Sequence, residues 1–293
     1  MTFSIVAAVG DALGVAVASK FLAVGSVVPA VRLGVGAVAT QAAANVAWKE
    51  QGLAHLAEGR TPEETVRLLV QADPGRAQRQ LGVVTAGAQA SYTGPECMDW
   101  AGGVVGRDES GGYAIQGNIL VGERVVRDAE RAWLDGAHLP LEHRLLSALL
   151  AGDRAGGDRR GRQSAAVYAM QPGAGYGHSG VLVDLRVDDH PDAVNELARL
   201  VDLGNLYFGS PTNVLPLEGA LADEVRSRLR RLDREQEDLE EALSDWAGEV
   251  NLENRLSPGG IDARVLQVLR EATAVEDISP WGDLERTGAE EAR

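Results

Sequence analysis

The chain has 293 residues, 45% hydrophobic, 24% charged and only 4% aromatic, with a formal net charge of -15. That length suits one large domain or a large and a small one, with a core of Ala, Val and Leu rather than rings. The acidity disfavours nucleic acid and anionic membrane surfaces as partners. Cys97 is the only cysteine, which excludes an intramolecular disulfide and a four-cysteine zinc site and fits a cytoplasmic location.

The chain opens "MTFSIVAAVGDALGVAVASK". A signal peptide needs leading positive charge and an unbroken apolar stretch, and a membrane helix about 20 apolar residues. No base precedes Lys20 and Asp11 interrupts the run, so neither is expected. Thr2 to Val9 and Leu13 to Ser19, both rich in Val and Ala around a Gly10-Asp11 turn, predict a hairpin. Both strands are apolar on both faces, so the hairpin is expected between other layers. Gly34 to Gln41 predicts another strand, its Gly and Ala residues allowing close backbone approach.

Gly52 to Glu58 predicts a short helix. "TPEE" predicts a second, with Thr61 as N-cap, Pro62 at the first position and Glu64 closing a capping box, ending near Ala72 before "DP". Gly82–Thr85, Ala90–Thr93 and Gly103–Val105 are short strand candidates, and "GGYAIQGNIL" a strand running into a turn. Helices are expected at Gly122–Leu134 and Pro140–Ala151, then the polar loop "AGGDRRGR", then antiparallel strands at "QSAAVYAM" and "VLVDLRV". "VDDHPD" fits a helix cap better than a metal site, and no metal site or cofactor motif is found elsewhere. Strand pairs interleaved with helix pairs predict an α+β fold with two packed sheets between helical layers.

After Ser210 there are 20 acidic and 10 basic residues. Leu217 to Trp246 predicts helix, "SPGG" breaks it, and "IDARVLQVLREA" predicts another. The expected domains are 1–210, a small helical module at 211–285 and a disordered tail at 286–293.

Thr2 carries a hydroxyl and, if Met1 is removed, a free α-amine. Such an amine has a pKa of about 8, against about 10.4 for lysine, so one residue can supply both nucleophile and base. Alternatively, Thr2 simply starts a strand. The motifs "MTFSIVA", "LGVAVASKF", "AVGSVVP", "GVGAVATQA", "YAIQGNIL", "AGGDRRGRQSAA" and "VDLRVDDHPD" together resemble the bacterial domain-of-unknown-function 1028 family, grouped with the N-terminal nucleophile (Ntn) hydrolases. The resemblance implies a four-layer αββα sandwich and an amide-bond hydrolase with Thr2 as nucleophile after Met1 removal. "LSDWAGEVNLENRL" and "GGIDARVLQVLR" resemble a peptidoglycan-binding-like domain, implying a small all-helical module with a cell-wall fragment as candidate partner.

By analogy with proteasome-like relatives, Ser19 and Lys20 fall beside the nucleophile, although a plain strand end with a solvated Lys accounts for them equally. Gln116, Gly117 and Asn118 are candidate oxyanion or substrate donors, or else a Gly-Asn turn. Arg160 and Arg162 either grip an anionic substrate end or pair with acids such as Asp158. Gln41, Asp158, Gln163 and Ser164 complete the candidate substrate-facing set. The expected substrate is a small amide or short peptide, and a homo-oligomer is expected by analogy. The alternative is a non-catalytic binding or assembly protein on an Ntn scaffold, with the acidic C-terminal module binding a glycan, a peptide or a partner subunit.

Overall fold

The computed structural model describes residues 2–274. The expected tail at 286–293 lies outside them. The chain divides into two compact units after Gly204, earlier than the expected break after Ser210.

The first unit is α+β with two antiparallel sheets. The hairpin forms as expected: β1 (Thr2–Val9) and β2 (Ala12–Ser19) pair through a two-residue turn in which Gly10 takes φ 54°, a value glycine adopts freely. The apolar stretch after Lys20 becomes a one-turn helix, α1 (Val24–Val27), and a short strand, β3 (Pro29–Arg32). β4 (Gly36–Ala42) follows, then α2 (Ala47–Ala57), which starts earlier than the sequence indicates, and α3 (Pro62–Ala72). The capping box of α3 is present: Glu64 N donates to Thr61 Oγ1 at 3.2 Å and Thr61 N to Glu64 Oε2 at 3.0 Å.

The remaining strands are β5 (Arg79–Val84), β6 (Gln89–Thr93), β7 (Gly102–Arg107), β8 (Gly112–Asn118), β9 (Ser164–Met170) and β10 (Val181–Val187). Helices α4 (Arg124–Asp135) and α5 (Leu141–Arg154) lie between β8 and β9, and α6 (Ala193–Phe208) follows β10. One sheet has the order β10-β9-β2-β1-β8-β7 and the other β3-β4-β5-β6.

Strand alternation assigns the faces. Phe3, Ile5 and Ala7 of β1 pack with Val125 and Trp133 of α4, Leu145 and Leu149 of α5, and Leu197 of α6. Val6, Ala8, Val15 and Val17 pack with Val31, Ala37, Ala39 and Val84 of the other sheet. The outer face of that second sheet, including Val38, Leu81 and Val83, packs on Trp48, Leu53 and Leu56 of α2 and Leu69 of α3. Small side chains let the sheets approach closely. A Cβ on Gly82 would meet the Oε1 of Gln116 from the facing sheet at 2.4 Å.

The second unit contains α7 (Gly219–Arg231), α8 (Leu239–Glu249) and α9 (Ala263–Ala272) around Leu229, Trp246, Leu252 and Val265. The expected continuous helix breaks after Arg231, where Asp233 takes φ 56° and Asp238 caps α8. The unit is also not all-helical. β11 (Val214–Pro216), β12 (Leu256–Ser257) and β13 (Gly260–Asp262) form a sheet of order β11-β13-β12. These strands are two or three residues long, too short for alternation to reveal. Buried Arg255 pairs with buried Asp262 at 3.3 Å, and Asp262 also caps α9 through Arg264 N at 2.8 Å. No described helix is long and apolar enough to cross a membrane.

Arg144 is the largest buried cation of the first unit. It is fully buried, stacks 3.8 Å over the Trp133 ring, donates to the Trp133 carbonyl at 2.7 Å and Ser110 Oγ at 2.7 Å, and pairs with Asp108. Burial pushes the Asp108 carboxyl up, but hydrogen bonds from Ser110 and Arg144 outweigh it and hold the pKa below its ordinary value. A depressed carboxyl stabilises the fold above its unfolded pKa and loses that contribution as pH falls through the folded one. Arg144→Met is therefore expected to cost about 3 kcal/mol at neutral pH. The loss should shrink as urea unfolding is repeated at pH values falling below the ordinary carboxylate range, because the stability that Asp108 contributes is lost as pH falls through its depressed folded pKa.

Candidate active site

Thr2 begins β1, between β2 and β8, and is 6% exposed. Its face of the strand is the one between the sheets. Its Oγ1 lies 3.1 Å from the Oγ of Ser19, at the end of β2. Its carbonyl accepts from Gln41 Nε2 and Asn118 Nδ2, each at 3.3 Å. Gln80 Oε1 in turn accepts from Gln41 Nε2 at 2.8 Å and Asn118 Nδ2 at 3.1 Å. Gln80 Nε2 donates to Gly117 O at 2.8 Å and Thr93 Oγ1 at 2.9 Å. Ser4 joins the same network, donating to Gln41 Oε1 and accepting from Gln116 Nε2, both at 2.7 Å.

This is a buried amide network across the two sheets. Thr2–Asn118 and Ser4–Gln116 are cross-strand pairs of one sheet, and Gln41–Gln80 is a cross-strand pair of the other. Thr2, Ser4, Ser19, Gln41, Gln80, Gln116 and Asn118 are each at most 6% exposed. The arrangement revises several expected roles. Gly117 and Asn118 are not in a turn; both lie inside β8, and the Asn118 amide already donates to Thr2 and Gln80. Gln41 and Gln116 are internal, and their side chains are engaged with Thr2, Ser4 and Gln80 inside the network.

The adjoining loops account for the other candidates. Lys20 is exposed; its backbone N–H donates to Asp158 Oδ2 at 2.7 Å and its Nζ to the Arg162 carbonyl at 3.3 Å. Asp158 also accepts from Arg160 N at 2.8 Å and from its guanidinium at 3.3 Å. Arg162 Nε donates to both Asp153 oxygens, at 2.7 and 2.9 Å. The arginines thus follow the alternative of pairing with neighbouring acids. Ser164 pairs with Ser19 in the sheet, accepts from Val24 N at 3.0 Å and donates to the Phe21 carbonyl. Gln163 donates to Asp189 at 3.1 Å. Among these residues a space of about 10 Å³ remains beside Ser19, Asp158 and Ser164, the size of a single water. His190 Nδ1 accepts from Asp192 N at 3.0 Å, the local cap expected of "VDDHPD".

Residues 2–197 match the model described as "Family of unknown function (DUF1028)". The chain belongs to this family. A crystal structure of protein SPO2555 from Silicibacter pomeroyi, described with the same family, is similar with a TM-score of 0.61 and 33% identity. The similarity covers 76% of this chain and 92% of that one. Residues 207–269 match a second model, described as "Putative peptidoglycan binding domain". No curated protein matches.

Sequence reading missed two members of this DUF1028 network, Ser4 and Gln80. Both are single polar residues at between-sheet positions of apolar strands, and that misfit was the available signal. The surroundings of Thr2 carry a second feature. Phe21, Leu22, Val46, Met98 and Val121 are each at least 47% exposed. All stand on loops leaving the Thr2 end of the sheets, after β2, β4 and β8 or hydrogen-bonded to them: Ile119 N donates to Met98 O at 2.9 Å. Gln80 also contacts the wall of a recess of about 550 Å³ between β6 and β7, donating to the Gly102 carbonyl at 3.2 Å.

Replacing Gln80 with Leu would leave the Gln41 and Asn118 amides and the Gly117 carbonyl short of partners. Each buried unsatisfied group costs roughly 1–3 kcal/mol, so Gln80→Leu is expected to lower stability by at least about 3 kcal/mol. Urea unfolding measures this. A loss below about 1 kcal/mol, the scale of one ordinary hydrogen bond, would show that the network does not hold the sheets.

Proposed function

We propose that the chain hydrolyses an amide bond in a small amide or short peptide, as an Ntn hydrolase with Thr2 as nucleophile. Removal of Met1 frees the Thr2 amine, which takes the proton of Oγ1 as that oxygen attacks the carbonyl carbon. The C–N bond then breaks, the proton passes to the leaving amine, and an ester on Thr2 remains. Water hydrolyses the ester to the acid and restores the hydroxyl.

The observation that carries this reading is the asymmetry at Thr2. Its carbonyl is fixed by two buried amides, while among the described residues its hydroxyl meets another hydroxyl, that of Ser19. Fixing the backbone while leaving the reactive oxygen on a soft, exchangeable partner is what a nucleophile requires. Two facing sheets with helices on each outer face support the αββα layering of this class. The apolar loops around Thr2 favour a substrate with apolar groups flanking the amide, and the recess between β6 and β7 offers room for an extended portion.

The match over 207–269 supports a second activity in the same chain, binding of a cell-wall fragment by the C-terminal unit. Soluble muropeptides titrated into the full chain test it. A heat signal that survives Thr2→Ala supports a separate binding unit, and no signal argues against one.

A screen of N-acyl amides and dipeptides tests the hydrolase reading. Thr2→Ala is expected to lower kcat/KM by at least about a thousandfold on any substrate turned over, and Thr2→Ser to retain part of it. Equal turnover by Thr2→Ala and wild type contradicts the reading.

A further inference from the structure

A second recess, of about 160 Å³, opens at the opposite edge of the sandwich, where α1, β3 and the start of α2 meet β9 and β10. Its polar lining is Ser26, Lys49, Tyr168, Asp184 and Arg186. We propose that it binds a small oxyanion, the carboxylate or phosphate group of a metabolite. This inference is independent of the reading of Thr2.

Three donors converge there with little to satisfy them. Lys49 Nζ donates to the Ser26 carbonyl at 3.1 Å, and no carboxylate pairs with it among the described residues. Two of its three N–H groups are thereby left for a ligand. Among the described residues the Tyr168 hydroxyl has only the Met170 sulfur, a weak acceptor, at 3.5 Å. Arg186 reaches Asp184 through long contacts of 3.3 and 3.4 Å from Nε and one terminal nitrogen, leaving its other terminal nitrogen available. An ammonium, a guanidinium and a phenol around one cavity form a complementary set for an oxyanion.

The floor is closely packed. A Cβ on Gly25 would lie 2.5 Å from the Ala166 Cβ and 2.9 Å from the Arg186 Cδ. Glycine therefore lets α1 sit against β9 and β10 while the Arg186 stem lies across it. Glu50, the other nearby acid, pairs with Arg32 at 3.0 Å. Burial lowers the Lys49 pKa; the Glu50 charge opposes this and Arg186 adds to it, so an anion between the two cations would relieve both strains. The volume exceeds the roughly 30 Å³ of one water several times over, so it admits the anionic group together with the first atoms of its parent molecule.

Titration of the full ¹⁵N-labelled chain with inorganic phosphate and, separately, with succinate, at ionic strength matched by sodium chloride, tests the proposal. Saturable shifts of the Ser26, Tyr168 and Arg186 amides are expected with at least one probe, and the probe that saturates identifies the class. Lys49→Gln and Arg186→Gln are each expected to weaken that affinity at least about tenfold, as loss of a charged hydrogen bond does. Thr2→Ala should leave it unchanged, so a failed hydrolase assay does not bear on this result. Shifts that remain linear for both probes, or saturation equally strong in both charge variants, would overturn the proposal.

Discussion

The rest of the first unit depends on the buried amide network that joins its two sheets. Leaving a buried amide without a partner costs about 1–3 kcal/mol, against a net gain of about 1 kcal/mol for a made hydrogen bond, so such a network strongly favours the arrangement that satisfies it. Gln41 and Gln80 come from one sheet, Gln116, Asn118 and Ser4 from the other, and each sheet supplies donors and acceptors that the other needs. A slip of one residue in β1 would turn Ser4 to the helical side and Phe3 into the network. The network thereby sets the register of the strand that carries Thr2. One atom of the network, Gln116 Oε1, has no partner among the described residues and lies against Gly82.

The scarcity of aromatics serves this geometry. Alanine, valine and glycine on the facing strands bring the sheets close enough for amide side chains to span the gap. The large rings, Trp48 of α2 and Trp133 of α4, are carried by the helices that cover the outer faces of the sheets. At the Thr2 end, short polar contacts replace core packing. Asp158 holds the backbone at Lys20, Ser164 ties down residues 21 and 24, and Arg159 pairs with Asp99 at 2.9 Å. Loops from distant parts of the sequence are thus clipped around one strand end.

Local signals made much of this fold legible. The β1–β2 turn, the Thr61 capping box and the β9–β10 pair each depend on residues close in sequence, and each forms as read. β3 was hidden because the apolar stretch before Pro29 has no clear period, and the strands of the second unit are too short to show one. Gly117-Asn118 is an ordinary turn dipeptide, yet pairing with Phe3 and Thr2 at the centre of a sheet overrides that preference. The candidate site was legible as a set of residues more than as a set of roles. Thr2, Ser19, Gln41, Gln116 and Asn118 do converge, but Gln41 and Asn118 are spent on the Thr2 carbonyl and Gln116 on Ser4. Gln80, which joins both sheets, has no motif around it and is evident only in three dimensions.

The hydrolase proposal requires Thr2 to be a fixed, reactive terminus. Mass spectrometry of the intact chain after incubation with a β-lactone, which acylates a hydroxyl nucleophile, tests it most directly. The expected result is a chain beginning at Thr2 that gains one acyl group as an ester on that residue, with no gain in Thr2→Ala. A chain that retains Met1, or one labelled equally with and without the Thr2 hydroxyl, would contradict it.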